Sequence, residues 1–161
     1  RTNGLQIPTV YNCGGYESRE TLHLLEGLID IYMPDFKYAD SRAAEKYSGA
    51  WDYPDAAAGA LLEMYRQAGP LQYNSKGLAC RGVLVRHLVL PGDLADSRGV
   101  VEIVAQTAPG CAINIMDQYR PCYRAGEFPE LRDLPSPAAV HSLRKLATEL
   151  GLVRADHESR F

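Results

Sequence analysis

The chain has 161 residues, of which 46% are hydrophobic and 23% charged, and its formal net charge is -3. This composition is typical of one globular domain, and the weak negative charge argues against nucleic acid or an anionic membrane surface as a partner. No apolar run approaches the roughly 20 residues of a membrane-spanning helix, so we expect no membrane segment.

Four cysteines, Cys13, Cys80, Cys111 and Cys122, lie far apart in the chain without a C-x-x-C pair. This pattern is typical of reduced thiols and not of a disulfide framework, which predicts a cytoplasmic protein. Arg1 stands where a start methionine would, so we expect the chain to be a piece of a longer protein.

The first elements form a strand–helix–strand pattern. Residues 7–12 contain β-branched side chains and are followed by a glycine pair, which favours a short strand that ends in a tight turn. Ser18 suits the N-cap of a helix in which Leu22, Leu25 and Leu28 share one face. Such a unit connects two parallel strands by a right-handed crossover.

The second strand changes from apolar to charged along one face. Ile31 and Met33 alternate on this face, and Asp35 and Lys37 continue the same alternation. Pro34 cannot donate to a strand ladder, so the strand is expected to end there. Because the carboxyl ends of parallel strands carry the functional groups of α/β proteins, Asp35 and Lys37 are predicted site residues.

The rest of the chain continues the alternation of helices and strands, with one interruption. The pattern predicts helices at 41–47 and 55–67, a hairpin within 71–81, a strand at 83–90, a helix at 97–106, a strand at 112–116 and a helix at 137–150. Together these elements predict an α/β fold with about four parallel strands, outer helices and a small β-hairpin insertion.

Polar residues close or interrupt every predicted strand. Asn12 closes the first strand, Arg86 lies inside the third, and residues 117–120 follow the fourth. An unpaired charge in an apolar strand is costly, so Arg86 needs an anionic partner, either a protein carboxylate or a ligand, and we favour the ligand. His87 has the opposite parity and is expected to pack against a helix. We expect one site to contain Asn12, Asp35, Lys37, Arg86 and Gln118.

Four blocks of the chain occur in the same order in radical S-adenosylmethionine proteins. They are Val-Tyr-Asn-Cys-Gly-Gly-Tyr-Glu (10–17), Asp-Ile-Tyr-Met-Pro-Asp-Phe-Lys-Tyr (30–38), Arg-His-Leu-Val-Leu-Pro-Gly (86–92) and Asn-Ile-Met-Asp-Gln-Tyr-Arg-Pro (114–121). The chain most resembles the group that is similar to pyruvate formate-lyase activating enzyme. The resemblance implies a partial TIM-like barrel within a single domain, with strands three to six in residues 1–124 and a C-terminal extension in 125–161.

The resemblance also implies roles for individual residues. Asp35, Lys37 and Arg86 would lie near the charged end of S-adenosylmethionine, and Leu88 would pack against this cofactor. Either Gln118 or Tyr119 would also lie near it.

A monovalent cation is a further ligand implied by the resemblance. Its protein ligands would be Asn12, Cys13, Met33 and Asp35. Asn12 departs from the family's pattern, because the activating enzyme has an acidic residue at this position.

The C-x-x-x-C-x-x-C motif that binds the family's [4Fe-4S] cluster is absent from this chain. The resemblance implies that it lies upstream of Arg1, so the missing N-terminal part of the same protein is an expected partner. The whole protein would then use S-adenosylmethionine and the cluster to generate a 5′-deoxyadenosyl radical, with a glycyl-radical enzyme as the partner implied by the family. We expect this chain alone to lack the cluster and to be inactive.

Two other interpretations stay open. Asp35, Lys37 and Asp40 fit the D-x-K-x-x-D pattern of decarboxylases that act on orotidine phosphate, although no glycine-rich phosphate-binding loop follows a later strand. The chain could also be a non-catalytic interaction domain. If the barrel is incomplete, the first strand should lie at an open edge of the sheet.

Overall fold

A computed structural model describes residue 4 and residues 7–155 of the chain. The predicted polar tail from Asp156 lies outside these residues. In chain order the elements are β1 (Val10–Cys13), α1 (Arg19–Leu24), β2 (Ile31–Pro34), α2 (Ser41–Ser48), α3 (Tyr53–Ala68), β3 (Gln72–Tyr73), β4 (Ala79–Leu88), α4 (Ser97–Thr107), β5 (Ala112–Met116), α5 (Pro137–Glu149) and β6 (Val153–Arg154). Short 3₁₀ turns occur at Pro91–Asp93, Tyr123–Glu127 and Pro129–Leu131.

The strands form one six-stranded sheet in the order β1-β2-β4-β5-β6, and all neighbours in this row are parallel. Helices connect the parallel strands, so the α/β class is confirmed, and the arrangement is consistent with a partial α/β barrel. β1 stands at one end of the row, as expected of an open edge. β3 pairs antiparallel with β4 in the predicted hairpin.

The two faces of the sheet differ in chemistry. One face packs under the helices, and its side chains are fully buried: Tyr32, Val83, Val85, His87, Ile113 and Ile115. The other face, called the site face here, carries the alternate residues, which the register pairs as Asn12 with Met33, Asp35 with Arg86, and Leu88 with Met116. Most of these residues are only partly buried, so this face is the accessible one.

Several predicted details are wrong, and the observed bounds of the strands and helices explain the differences. The sheet has five parallel strands and not four, because β6 adds to β5 after the last helix. Leu28 is 60% exposed because α1 already ends at Leu24. Leu150 is 42% exposed because α5 ends at Glu149. β1 and β4 also begin at other residues than expected, at Val10 and Ala79.

Local signals at the helix starts are confirmed. Ser18 caps α1 by accepting a hydrogen bond from the Thr21 backbone. Pro137 occupies the first turn of α5 after Ser136. None of the helices in the described part of the chain is long and apolar enough to cross a membrane.

Candidate functional site

Parallel pairing brings polar groups from three strands to the same edge of the sheet. The backbone N–H of Asp35 donates to the carbonyl of Cys13 at 2.9 Å, which extends the ladder one residue beyond β2. On the other side Asp35 pairs with Arg86 of β4. Asn12, near the end of β1, lies on the same face. The carboxyl ends of β1, β2 and β4 therefore converge as the sequence predicted.

The side chains of this edge form a connected polar array. Arg86 Nη2 donates to Asp35 Oδ1 at 2.6 Å and to Asn12 Oδ1 at 2.9 Å. Lys37 Nζ lies 3.3 Å from Asp35 Oδ2. One carboxylate is thus shared by two cations. The expectation that a ligand is the partner of Arg86 is corrected, because the strand register supplies the carboxylate of Asp35.

The array leaves capacity for a ligand. Arg86 uses only Nη2 within the described part of the chain, and its Nε is buried without a hydrogen-bond partner there. The side chains of Arg86 and Lys37 are 27% and 48% exposed. Two cations face one carboxylate, so one positive charge is unbalanced. This surplus favours an anionic group on the ligand.

A cavity of about 240 Å³ opens beside the array. Its lining combines the polar side chains with an apolar wall: Asp35, Lys37, Tyr38, Arg86, Leu88, Leu90, Met116 and Gln118. Five of the predicted cofactor-binding residues therefore line one cavity. Asn12 does not line it but accepts a hydrogen bond from Arg86, which does. A ligand with a charged end and an apolar end would match this lining.

Tyr119 does not belong to this cavity. Met116 at the end of β5 and Gln118 two residues later line the cavity, while Tyr119 is buried and does not line it. Its hydroxyl donates to the carbonyl of Leu131 at 2.8 Å. The sequence left Gln118 and Tyr119 as alternatives, and the structure places Gln118 at the site and gives Tyr119 a packing role.

Two of the four residues predicted as cation ligands, Asn12 and Asp35, are hydrogen-bonded to Arg86. Both Oδ1 oxygens accept from the same Arg86 nitrogen, Nη2, at 2.9 and 2.6 Å. Met33 follows on the same face. Cys13 has the opposite parity, its carbonyl is used by the Asp35 N–H, and burial raises the pKa of its thiol to about 11. Within residues 7–155 no cluster of three His, Cys, Asp or Glu side chains could hold a metal.

Asp40 has a local structural role. Its carboxylate caps α2 by accepting from the backbone N–H groups of Arg42 and Ala43, at 2.5 and 3.2 Å. Asp40 does not line the cavity that contains Asp35 and Lys37. The Asp–Lys–Asp array of the decarboxylase alternative is therefore not assembled at this edge.

His87 fulfils its predicted packing role and also contacts the back of the site. It is fully buried on the helix face, and its Nδ1 lies 2.7 Å from the carbonyl of Phe36. Burial lowers the pKa of the imidazole, so the ring is neutral at pH 7 and donates through Nδ1.

Sequence reasoning missed two residues that support the site. The hydroxyl of Tyr53 lies within hydrogen-bond distance of the backbones of Gly14, Asp35 and Lys37. Gly15 has φ +80°, and a Cβ there would lie 2.1 Å from the Asp35 carbonyl oxygen. The glycine pair was a visible signal, and at Gly15 the missing side chain admits the backbone of Asp35. No sequence signal distinguishes Tyr53 from the other tyrosines.

No family model matches the chain. An uncharacterized protein of Methanocaldococcus jannaschii is 27% identical over 147 residues, which cover 91% of this chain and 39% of that protein. The chain thus spans about two fifths of the length of the relative that it matches.

Proposed function

We propose that this chain is the C-terminal part of a radical S-adenosylmethionine protein that resembles pyruvate formate-lyase activating enzyme, and that it supplies half of the cofactor pocket. The observation that carries this proposal is the shared cavity of Asp35, Lys37, Arg86, Leu88 and Gln118 at the carboxyl ends of parallel strands. These are residues that the resemblance associates with the cofactor. The upstream part of the same protein would complete the pocket.

The lining suits the two ends of S-adenosylmethionine. Lys37 and Arg86 carry the surplus positive charge that its methionyl carboxylate would balance, and Asp35 can accept from its ammonium group. Leu88 and Met116 provide an apolar wall for the adenosine end. When bound and reductively cleaved, this cofactor supplies a 5′-deoxyadenosyl radical. The residues of this chain would bind and orient it.

The cysteines of this chain do not fit an iron–sulfur cluster. Cys13 and Cys80 are half-buried, Cys111 is buried and Cys122 is exposed, and all four are free thiols. The proposal therefore gives this chain no redox step and leaves the cluster to the upstream part. Free cysteines are also consistent with our proposal of a cytoplasmic location.

The test uses the full-length protein with its cluster reconstituted under anaerobic conditions. Asp35→Ala and Arg86→Ala should each weaken S-adenosylmethionine binding by about 1–3 kcal/mol, because each removes a charge-assisted hydrogen bond. Both should also slow reductive formation of 5′-deoxyadenosine, while the absorbance of the cluster stays unchanged.

Matched controls remove the same charges elsewhere. Asp55→Ala on the exposed side of α3 and Arg98→Ala on α4 should bind the cofactor like the wild type. If Asp35→Ala and Arg86→Ala also bind and cleave it like the wild type, the array is structural and the proposed function is wrong.

A further inference from the structure

The hydroxyl of Tyr53 is a junction for three backbone groups behind the site. It accepts from the Lys37 N–H at 2.9 Å and lies 2.9 Å from the Gly14 carbonyl and 3.1 Å from the Asp35 carbonyl, which share its proton. Burial raises the pKa of this phenol, so it stays protonated at neutral pH and can donate. The hydroxyl thus ties the end of β1 to the segment that carries Asp35 and Lys37.

Aromatic packing fixes the position of this hydroxyl. Tyr53 is buried at the start of α3, and its ring stacks on Tyr16 with the ring centroids 5.8 Å apart. The edges of Phe36 and Tyr38 meet it at centroid distances of 6.3 and 5.7 Å. Rings packed from several sides have little freedom to rotate. The hydroxyl is therefore a fixed point.

The backbone between the two charged residues is held as well. The N–H of Phe36 donates to the carbonyl of Arg86 at 2.8 Å, and its carbonyl receives the Nδ1–H of His87. Asp35 and Lys37 flank Phe36, and their side chains meet at the cavity. Lys37 Nζ and Asp35 Oδ2 approach to 3.3 Å, and both side chains extend from the backbone segment that Tyr53 holds.

We propose that Tyr53 is a positioning residue of this site, which acts through the backbone of Asp35 and Lys37 and touches no ligand itself. The consequence for the cofactor rests on the proposed function, whereas the positioning of the two charged residues does not. Small displacements of preorganised charged groups weaken the ligand contacts that they make.

The test compares Tyr53→Phe with Tyr65→Phe in the full-length protein. Both variants keep an aromatic ring on α3 and lose one hydroxyl, but the Tyr65 hydroxyl donates to Pro109, away from the site. Tyr53→Phe should bind S-adenosylmethionine about tenfold more weakly, as expected for one lost hydrogen bond. Tyr65→Phe should bind it like the wild type.

A double-mutant cycle separates positioning from general destabilisation. Asp35→Ala removes the carboxylate that links Lys37 and Arg86, so the effect of Tyr53→Phe should shrink below about twofold in that background. An equal and additive effect in both backgrounds would mean that Tyr53 only stabilises the fold, and would overturn the proposal.

Hydrogen exchange provides a readout that needs no ligand. In Tyr53→Phe the amide of Lys37 should exchange about tenfold faster, because its N–H loses its acceptor, and the amides of Asp35 and Phe36 should follow as the segment is released. Unchanged exchange there in Tyr53→Phe, with unchanged binding, would overturn the positioning role and leave the proposed function intact. If the wild type does not bind S-adenosylmethionine, the proposed function fails, and faster exchange confined to 35–37 still supports the positioning role.

Discussion

The two faces of the same sheet give alternate residues different environments, one buried and one accessible. On β4, Val85 and His87 point toward the helices and are fully buried. Their neighbours Arg86 and Leu88 point the other way and line the cavity. A strand in which every second residue faces a different environment can therefore carry a core and a site at once.

The faces should differ in what a substitution costs. Apart from His87, the helix face consists of buried hydrophobic side chains closed by α3, α4 and α5, where each lost contact leaves a cavity. The carboxyl end of the site face is held by partly exposed ion pairs, which contribute little to stability. Substitutions on the helix face should lower the free energy of unfolding, and those on the site face should change binding.

The largest effect is expected on the helix face of β5. Ile113→Ala should lower the free energy of unfolding by about 2–5 kcal/mol, because Ile113 is fully buried. The adjacent Asn114→Ala lies on the site face and should cost less than about 1 kcal/mol. Urea unfolding of both variants checks the difference. Equal costs would break the distinction between the two faces.

The turn behind the site should be nearly as sensitive as the core. Gly15→Ala combines a positive φ with a Cβ placed 2.1 Å from the Asp35 carbonyl oxygen, which should cost about 2–4 kcal/mol. Gly14→Ala has no atom within 4 Å of the new Cβ and should cost less than about 1 kcal/mol. Thermal unfolding of this pair tests whether close backbone approach, and not flexibility alone, requires glycine at position 15.

Local chemistry made much of the fold predictable. The bounds of β5 follow from an apolar run between turn residues, and β2 ends at Pro34 as the missing N–H requires. The hairpin follows from its turn, in which the Asn74 N–H donates to the carbonyl of Leu78. In the site, the alternation of Asp35 and Lys37 after Met33 was enough to place both on the accessible face.

The remaining features depend on residues distant in sequence. β6 has two residues and no periodicity of its own, and it exists because the edge of β5 is available. The pairing of Arg86 with Asp35 needs the strand register, which no single strand encodes. Tyr53 contacts backbone groups, which carry no sequence signal. The alternation of strands and helices could thus be predicted, whereas the contacts inside the site could not.

The buried histidine on the helix face should make stability depend on pH. Burial lowers the pKa of His87, opposed by its hydrogen bond to Phe36 and by Asp93 and Asp35. In the unfolded chain the imidazole becomes protonated near pH 6.5, whereas in the folded state it stays neutral to lower pH. The free energy of unfolding is therefore at its full value above about pH 6.5 and falls as the pH decreases below it. The slope from one group is at most about 1.4 kcal/mol per pH unit.

Two variants test this dependence. His87→Asn keeps an N–H near the position of Nδ1 but cannot titrate, so the loss of stability between about pH 6.5 and 5 should become smaller. His141→Gln, on the exposed side of α5, is the control that removes an imidazole outside the core. Unfolding free energies measured across this range decide the matter. If the slope persists in His87→Asn, another titrating group causes the pH dependence.

The smallest effect is expected for two adjacent residues, of which the larger side chain should cost less unfolding free energy when it is truncated. Leu88→Ala removes more atoms than Val89→Ala, yet Leu88 lines the open cavity and Val89 is 2% exposed in the core. Leu88→Ala should therefore cost only about 1 kcal/mol of unfolding free energy, against about 2 kcal/mol for Val89→Ala. If the proposed function holds, binding should show the opposite order, with S-adenosylmethionine affinity reduced only in Leu88→Ala, because Leu88 lines the cavity and Val89 does not. Urea unfolding and equilibrium binding of this pair check both orders. A larger loss of stability in Leu88→Ala than in Val89→Ala would contradict the division between the faces.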